Sequence, residues 1–97
     1  MPKGYIIAQI EVTDPEGYKG YVAEVGATVA KFGGEYIVRG GESETVEGNA
    51  VGSRHVVIRF PSYQAARDWY FSEDYKRVGA IRRSASTGVM TIVEGLE

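Results

Sequence analysis

The chain has 97 residues, 43% apolar and 25% charged, enough for one domain that buries about two-thirds of its unfolded surface. It contains no cysteine, which excludes disulfides and thiolate metal sites and is compatible with a reducing cytoplasm. A net charge of −2 gives no general attraction to phosphate backbones, so no nucleic-acid partner is expected, and the cluster Lys76, Arg77, Arg82 and Arg83 reads as a solvated face.

The stretch MPKGYIIAQIEV carries one Lys and an apolar run broken by Gln9 and Glu11, too short and too polar for a signal segment or a membrane span. No membrane association and a cytoplasmic address are therefore expected. Gly4–Val12 alternates, with Ile6, Ala8, Ile10 and Val12 on one face and Tyr5, Ile7, Gln9 and Glu11 on the other, the pattern of a strand with two environments. Asp14 followed by Pro15 starts a helix: the Asp side chain accepts orphan N–H bonds, and Pro at the first helical position sacrifices none. Its apolar row is Tyr18, Val22, Val25, Val29 and Phe32, and Gly33-Gly34 supplies a left-handed stop.

Glu35–Arg39 reads as a second strand, and Gly40-Gly41 places a bulge or bend before the β-prone Ser43–Glu47. Gly48–Gly52 is turn material. His55–Phe60 is the third strand, with Val56, Ile58 and Phe60 opposed to His55, Val57 and Arg59. Ser62 caps the next helix, in which Ala65 with Trp69 and Ala66 with Tyr70 are four-residue pairs; Ser72 caps a further short helical segment through Tyr75 to Ile81. Thr87–Val93 closes as the last strand. No stretch reads as a linker, so residues 1–97 are expected to form one domain.

The order βαββαβ predicts an α+β, ferredoxin-like sandwich: four antiparallel strands with the helices on one face. The other face carries Tyr5, Ile7, Ile37, Val57, Val89 and Val93 mixed with Gln9, Arg39, His55, Arg59 and Thr91, too apolar to stay wet and too polar for a dry core. The expected cover is the sheet of a second copy, giving a homodimer through the sheet face and a concave space for a small-molecule ligand.

The segments GYIIAQIEVTDPEGY, FGGEYIVRGG, Glu47-Gly48, VVIRFPSYQAARDWYFSEDY and VEGL together resemble domain-of-unknown-function family 1330, within the superfamily of dimeric α+β barrels, over nearly the whole chain. The resemblance implies the fold and a dimer with its two sheets face to face; it implies no particular reaction. One departure stands out: where the family pattern commonly has Glu before Phe-Pro-Ser, this chain has Arg59.

Chemistry-bearing residues are few. Arg39 ends a strand before two glycines, where its guanidinium can grip a carboxylate in two-point fashion; the alternative is an ion pair with Glu42, Glu44 or Glu47. Glu47 is a candidate general base if burial raises its pKa, or else a partner for Arg54. His55, the only histidine, is the first choice for a proton shuttle near neutral pH, or else a structural strand residue. Trp69, Tyr70, Phe71 and Tyr75 crowd one helix end as core or interface; Tyr70 and Tyr75, with Ser72, are candidate neutral donors to a carbonyl oxygen. No H-x-H or HExxH spacing is present, so no metal is expected. The glycines around Tyr36 lack the spacing of dinucleotide or phosphate loops, so no nucleotide cofactor is expected either.

The expected site is thus a cleft between sheet and helices lined by some of Arg39, Glu47, His55, Trp69, Tyr70 and Tyr75. The expected function is a cofactor-free enzyme acting on a small oxygenated or aromatic acid, with Glu47, His55 and Tyr70 as catalytic candidates and Arg39, Trp69, Ser72 and Tyr75 as ligand-binding ones. The alternative is a non-catalytic small-molecule-binding or stress-related accessory protein.

Overall fold

These signals become seven elements in the computed structural model, which describes residues 1–97: β1 (Gly4–Val12), α1 (Pro15–Lys31), β2 (Glu35–Arg39), β3 (Arg54–Phe60), α2 (Tyr63–Tyr70), α3 (Glu73–Ala85) and β4 (Ser86–Glu94). The strands form one antiparallel sheet in the order β2-β3-β1-β4. This is the ferredoxin-like α+β arrangement, with the second crossover built from two helices.

Local chemistry sets the boundaries. Asp14 Oδ1 accepts the Gly17 N–H at 3.2 Å at the start of α1. At its end Gly33, with φ +79°, lets the Gly33 and Gly34 N–H groups reach back to the Ala30 and Val29 carbonyls, both at 3.0 Å. Ser62 Oγ accepts from the Ala65 N–H at 3.0 Å and starts α2. Ser72 joins the next two elements: its hydroxyl accepts the Tyr75 N–H of α3 at 3.1 Å and donates to the Trp69 carbonyl of α2 at 2.7 Å. The last helix runs on to Ala85, beyond the expected Ile81, because Arg82, Arg83 and Ala85 are good helix formers and no Gly or Pro interrupts them.

The core lies between the helices and one face of the sheet. Ile6 and Ile10 of β1 and Ile58 and Phe60 of β3 are almost wholly buried, as are Val25 and Val29 of α1, Trp69 of α2, and Tyr75 and Val78 of α3. Trp69 packs its ring against Phe60 at 5.5 Å and Tyr75 at 4.2 Å. Its indole N–H donates to Thr28 Oγ1 at 3.0 Å, and that hydroxyl donates to the Val25 carbonyl at 2.7 Å. The buried row of α1 is therefore Tyr18, Tyr21, Val25, Thr28 and Val29, while Val22 of the expected row is 39% exposed. The helix turns Tyr21 and Thr28 inward because both find polar partners there.

Two differences from the expected layout concern β2. Its irregularity falls at Ile37, not at the glycines: Tyr36 pairs with Ile58 and Val38 with Val57, so Ile37 is an extra residue bulged between them. Beyond the bulge every side chain changes face, and Arg39 lies opposite Val56, on the helix side instead of the open side. Ser43–Glu47 pairs with no strand; residues 40–53 form one exposed connection without regular structure, except that Gly52 is buried against β1. Ile7, Ile37, Val38, Val89 and Val93 remain exposed apolar residues of the strands.

Candidate functional site

A cavity opens between α1 and the helix face of the sheet. The backbone of α1 packs on α3 and stands off from the strands, and the gap is filled by side chains. Ile6, Ala8, Ile10 and Ile58 floor it, and Val25 and Met90 close its sides. Its polar wall is three tyrosines and three arginines: Tyr18 and Tyr21 from α1, Tyr36 and Arg39 from β2, Arg54 from β3 and Arg82 from α3. No aspartate or glutamate lines it. The space left for water is about 20 Å³, room for a single molecule.

Each arginine is matched to a tyrosine. Arg39 lies over the Tyr36 ring at 4.2 Å and Arg54 over the Tyr18 ring at 5.6 Å, both cation–π distances. Arg82, only 7% exposed, donates from Nε to the Tyr75 hydroxyl at 3.1 Å. That hydroxyl is 3.0 Å from the Tyr21 hydroxyl and 3.8 Å from Met90 Sδ. The buried Arg54 Nε has no hydrogen-bond partner. All five ion pairs of the chain lie elsewhere, at Lys19–Glu16, Lys31–Asp74, Arg59–Glu35, Lys76–Glu73 and Arg77–Glu24.

Burial, followed by the neighbouring Tyr75, pushes the Tyr21 phenol far above its ordinary value of 10.0, so it stays protonated. Burial raises Tyr36 as well, against the pull of Arg39. Burial also draws the Arg82 pKa down, but Tyr75 and Tyr21 outweigh it and the guanidinium stays charged. Arg82 can only donate, so Tyr75 accepts from it, and the Tyr75 proton has two acceptors in reach, Met90 Sδ and the Tyr21 hydroxyl. Either hydroxyl can donate to the other; when Tyr75 donates to Tyr21, the Tyr21 proton is free to point into the cavity.

The sequence candidates are distributed unevenly about this space. Arg39 lines it. Tyr75 lies directly behind the wall, joined to it through Tyr21 and Arg82. Trp69 is stacked behind Tyr75, and Tyr70 packs on both rings at 6.3 and 5.4 Å without reaching the cavity wall. Ser72 has its hydroxyl engaged at the α2–α3 junction. Glu47 is exposed in the 40–53 connection. His55 is on the open face across from Gln9, in a shallow polar concavity with Glu11, Ser43 and Thr45, and its buried Nδ1 lacks a partner. No three His, Asp or Glu side chains stand close enough to hold one metal ion.

Tyr18, Tyr21, Tyr36, Arg54 and Arg82 escape the sequence reading. For Arg82 a signal existed: with Tyr75, Val78, Gly79 and Ala85 it falls on one helical stripe at spacings of three and four, which marks it as buried rather than as part of a solvated basic face. Arg54 follows the same logic by alternating with Val56, Ile58 and Phe60.

No curated protein matches the chain by sequence. Solved structures of similar fold include RPA0582, a protein of unknown function from Rhodopseudomonas palustris, at 14% identity and TM-score 0.76, covering 99% of this chain and 84% of that one. SnoaB, a cofactor-independent oxygenase from Streptomyces nogalater, aligns at 15% identity and TM-score 0.69 over 100% of this chain and 96% of its own. An antibiotic biosynthesis monooxygenase aligns at 13% identity and TM-score 0.55, over 97% and 99% of the two chains. At such identities the likeness is one of fold, the ferredoxin-like α+β arrangement of one antiparallel sheet with its helices. The sequence profile described as Domain of unknown function (DUF1330) matches residues 3–96, and the chain belongs to that family.

Proposed function

We propose that this protein is a cytoplasmic, cofactor-free enzyme that binds a small oxygenated or aromatic acid in the α1–sheet cavity and promotes proton transfer or oxygenation there, working as a homodimer whose open sheet faces cover each other. The observation that carries the reading is the chain Arg82–Tyr75–Tyr21, which sets a phenol, backed by a fixed positive charge, against a space floored by aliphatic side chains. A donor held in place before reaction, in a site that excludes water, stabilises negative charge forming on a substrate oxygen, as in an enolate or phenolate. Such an oxyanion undergoes proton transfer at carbon, and its carbanion form is the species that O₂ attacks when no cofactor takes part. The fold likeness to a cofactor-independent oxygenase is in keeping with this chemistry.

An occupant larger than water enters once Tyr36 and the exposed Arg39 turn outward with the 40–53 connection. In this reading Arg39 meets the acid group, and Glu47 rides on the segment that recloses. Trp69 and Tyr70 hold Tyr75 in place, and Ser72 sets the angle between the helices that carry them, whereas His55, on the other face of the sheet, does not reach this cavity.

The test is solvent deuterium exchange by NMR and O₂ uptake, with enolisable keto acids and hydroxyaromatic acids as substrates. Tyr21→Phe is expected to lower either rate by about a hundredfold with binding kept, the usual worth of one positioned acid–base group. Binding with neither exchange nor O₂ uptake replaces this reading with the second one, a non-catalytic ligand-binding or accessory protein. That reading is favoured by a single observation: no His, Asp or Glu lines the cavity.

A further inference from the structure

We propose that the occupant of the cavity is a dianion, a small apolar-bodied molecule with a carboxylate at one pole and a second acidic oxygen, from another carboxylate or an ionisable hydroxyl, at the other. The inference rests on the cavity being a ligand site, as proposed above, and names what that site selects.

The positive charges at the cavity find no acidic counterpart within the chain. Three guanidiniums border a space walled mainly by aliphatic and aromatic side chains, and no carboxylate faces them. An arginine is never discharged in a protein, and a buried charge without a counter-charge is costly, which bears on Arg82, 7% exposed, and on Arg54 with its buried Nε, while water screens the exposed Arg39. Proteins meet that cost with an acidic partner, and this chain has 13 acidic residues from which to supply one. None is placed here. The tyrosine contacts offset part of the cost, because a ring face or a phenolic oxygen attracts a cation without cancelling its charge. A single carboxylate would leave one of these two charges unbalanced. A dianion balances both, and Arg39 keeps its solvent and the Tyr36 ring face.

The arginines also fall into two groups. Arg39 and Arg54 come from neighbouring strands: Arg39 lies opposite Val56, and Arg54 is two positions along the same face of β3. They form one pole, and the unsatisfied Arg54 Nε is the mark of a missing acceptor there. Arg82 approaches from α3 beside Met90 and Tyr21 and forms the second pole, with one side-chain hydrogen bond made and four N–H groups to spare. Between the poles stand Ile6, Ala8 and Ile58, which contact only an apolar body.

Isophthalate, benzoate and benzamide present two, one and no charges on the same ring. Titration calorimetry with the full chain at constant ionic strength is expected to rank them in that order. Isophthalate should bind about tenfold or more tighter than benzoate, the worth of one additional charge-assisted contact. Arg82→Met is expected to remove the isophthalate advantage and leave benzoate unchanged; Arg39→Met, at an exposed position that folding tolerates, is expected to weaken both acids. Equal binding of isophthalate and benzoate overturns the dianion and leaves the ligand site standing. Benzamide binding as tightly as either acid overturns charge selection altogether. If none of the three binds, the cavity is not a ligand site and the proposal falls with it.

Discussion

Thr28→Val tests whether one buried hydroxyl holds the aromatic layer behind the cavity in place. Thr28 is 7% exposed, Trp69 has no exposed surface, and the 3.0 Å bond from the indole N–H to Thr28 Oγ1 is the only one that N–H makes. Valine keeps the volume and the β-branch, so packing and helix propensity change little. The Val25 carbonyl keeps its helical partner when the hydroxyl goes, whereas the indole N–H is left buried with none. Such an orphan costs about 1–3 kcal/mol, and the methyl that replaces the hydroxyl returns up to about 0.8, leaving a loss of about 1–2 kcal/mol. In a domain of this length that lowers Tm by about 5–15 °C.

The assay is urea unfolding followed by far-ultraviolet circular dichroism at one fixed protein concentration, since an assembling protein has a concentration-dependent midpoint. The same substitution in a Trp69→Phe background, which has no N–H to orphan, should cost less than about 0.5 kcal/mol, and the difference between backgrounds is the coupling energy. An equal loss in both backgrounds, or no loss in either, would refute the bond as the element that fixes Trp69.

Three further outcomes are expected. The unfolded Tyr21 phenol ionises near its ordinary 10.0 whereas the folded one keeps its proton, so above that pH the unfolded state binds fewer protons and stability falls as pH rises. Thermal unfolding between about pH 9 and about pH 11 should show stability falling by about 1.4 kcal/mol in total from this group, the slope steepening through that range, and Tyr21→Phe should remove this fall. Lys31 of α1 bonds Asp74 of α3 at 2.7 Å and holds that carboxyl below its ordinary 3.8, so the pair contributes above that pH and its contribution is lost as pH falls through the lowered value. Lys31→Gln should therefore lower Tm slightly at neutral pH and not at all near pH 2, the change being small because both partners are exposed. Ile7 is 45% exposed on β1, an inner strand of the sheet; Ile7→Lys should yield folded monomers in sedimentation at micromolar concentration where the parent chain sediments as a dimer. A parent chain that sediments as a monomer removes the covered sheet from the proposed function.

How much of this was legible depends on how far each feature is determined by its own neighbours in sequence. The faces of β1 and β3 follow from strict alternation, and the starts of all three helices follow from Asp14, Ser62 and Ser72, whose side chains cap the very next turn. The rotation of α1 is not local. Val22 is as good an inward residue as Tyr21 on spacing alone, and only the Tyr75 hydroxyl, 54 positions away, decides between them. The bulge at Ile37 carries no sequence mark, since both flanking residues are ordinary strand formers and the nearby glycines are the more conspicuous breakers. Ser43–Glu47 has strand-like composition but joins no ladder: both sides of β3 are taken, by β1 and β2, and the segment leaves the outer edges of β2 and β4 unpaired. The cavity's cations were hidden for a related reason: a run of basic residues looks uniform along the chain, and only helical phase sorts Arg82 inward from Arg77 and Arg83.

The extra residue at Ile37 ties together two properties that otherwise have nothing in common. Were Ile37 instead to take a place in the ladder opposite Val57, plain alternation would put Val38 opposite Val56 and carry Arg39 from the ligand side to the surface where two protomers are proposed to meet. A one-residue slip of register at the end of β2 would thus disarm one pole of the cavity and insert a cation into an apolar contact at the same stroke. The long connection that follows can change length without this effect, whereas register within this short edge strand is coupled to recognition and assembly at once.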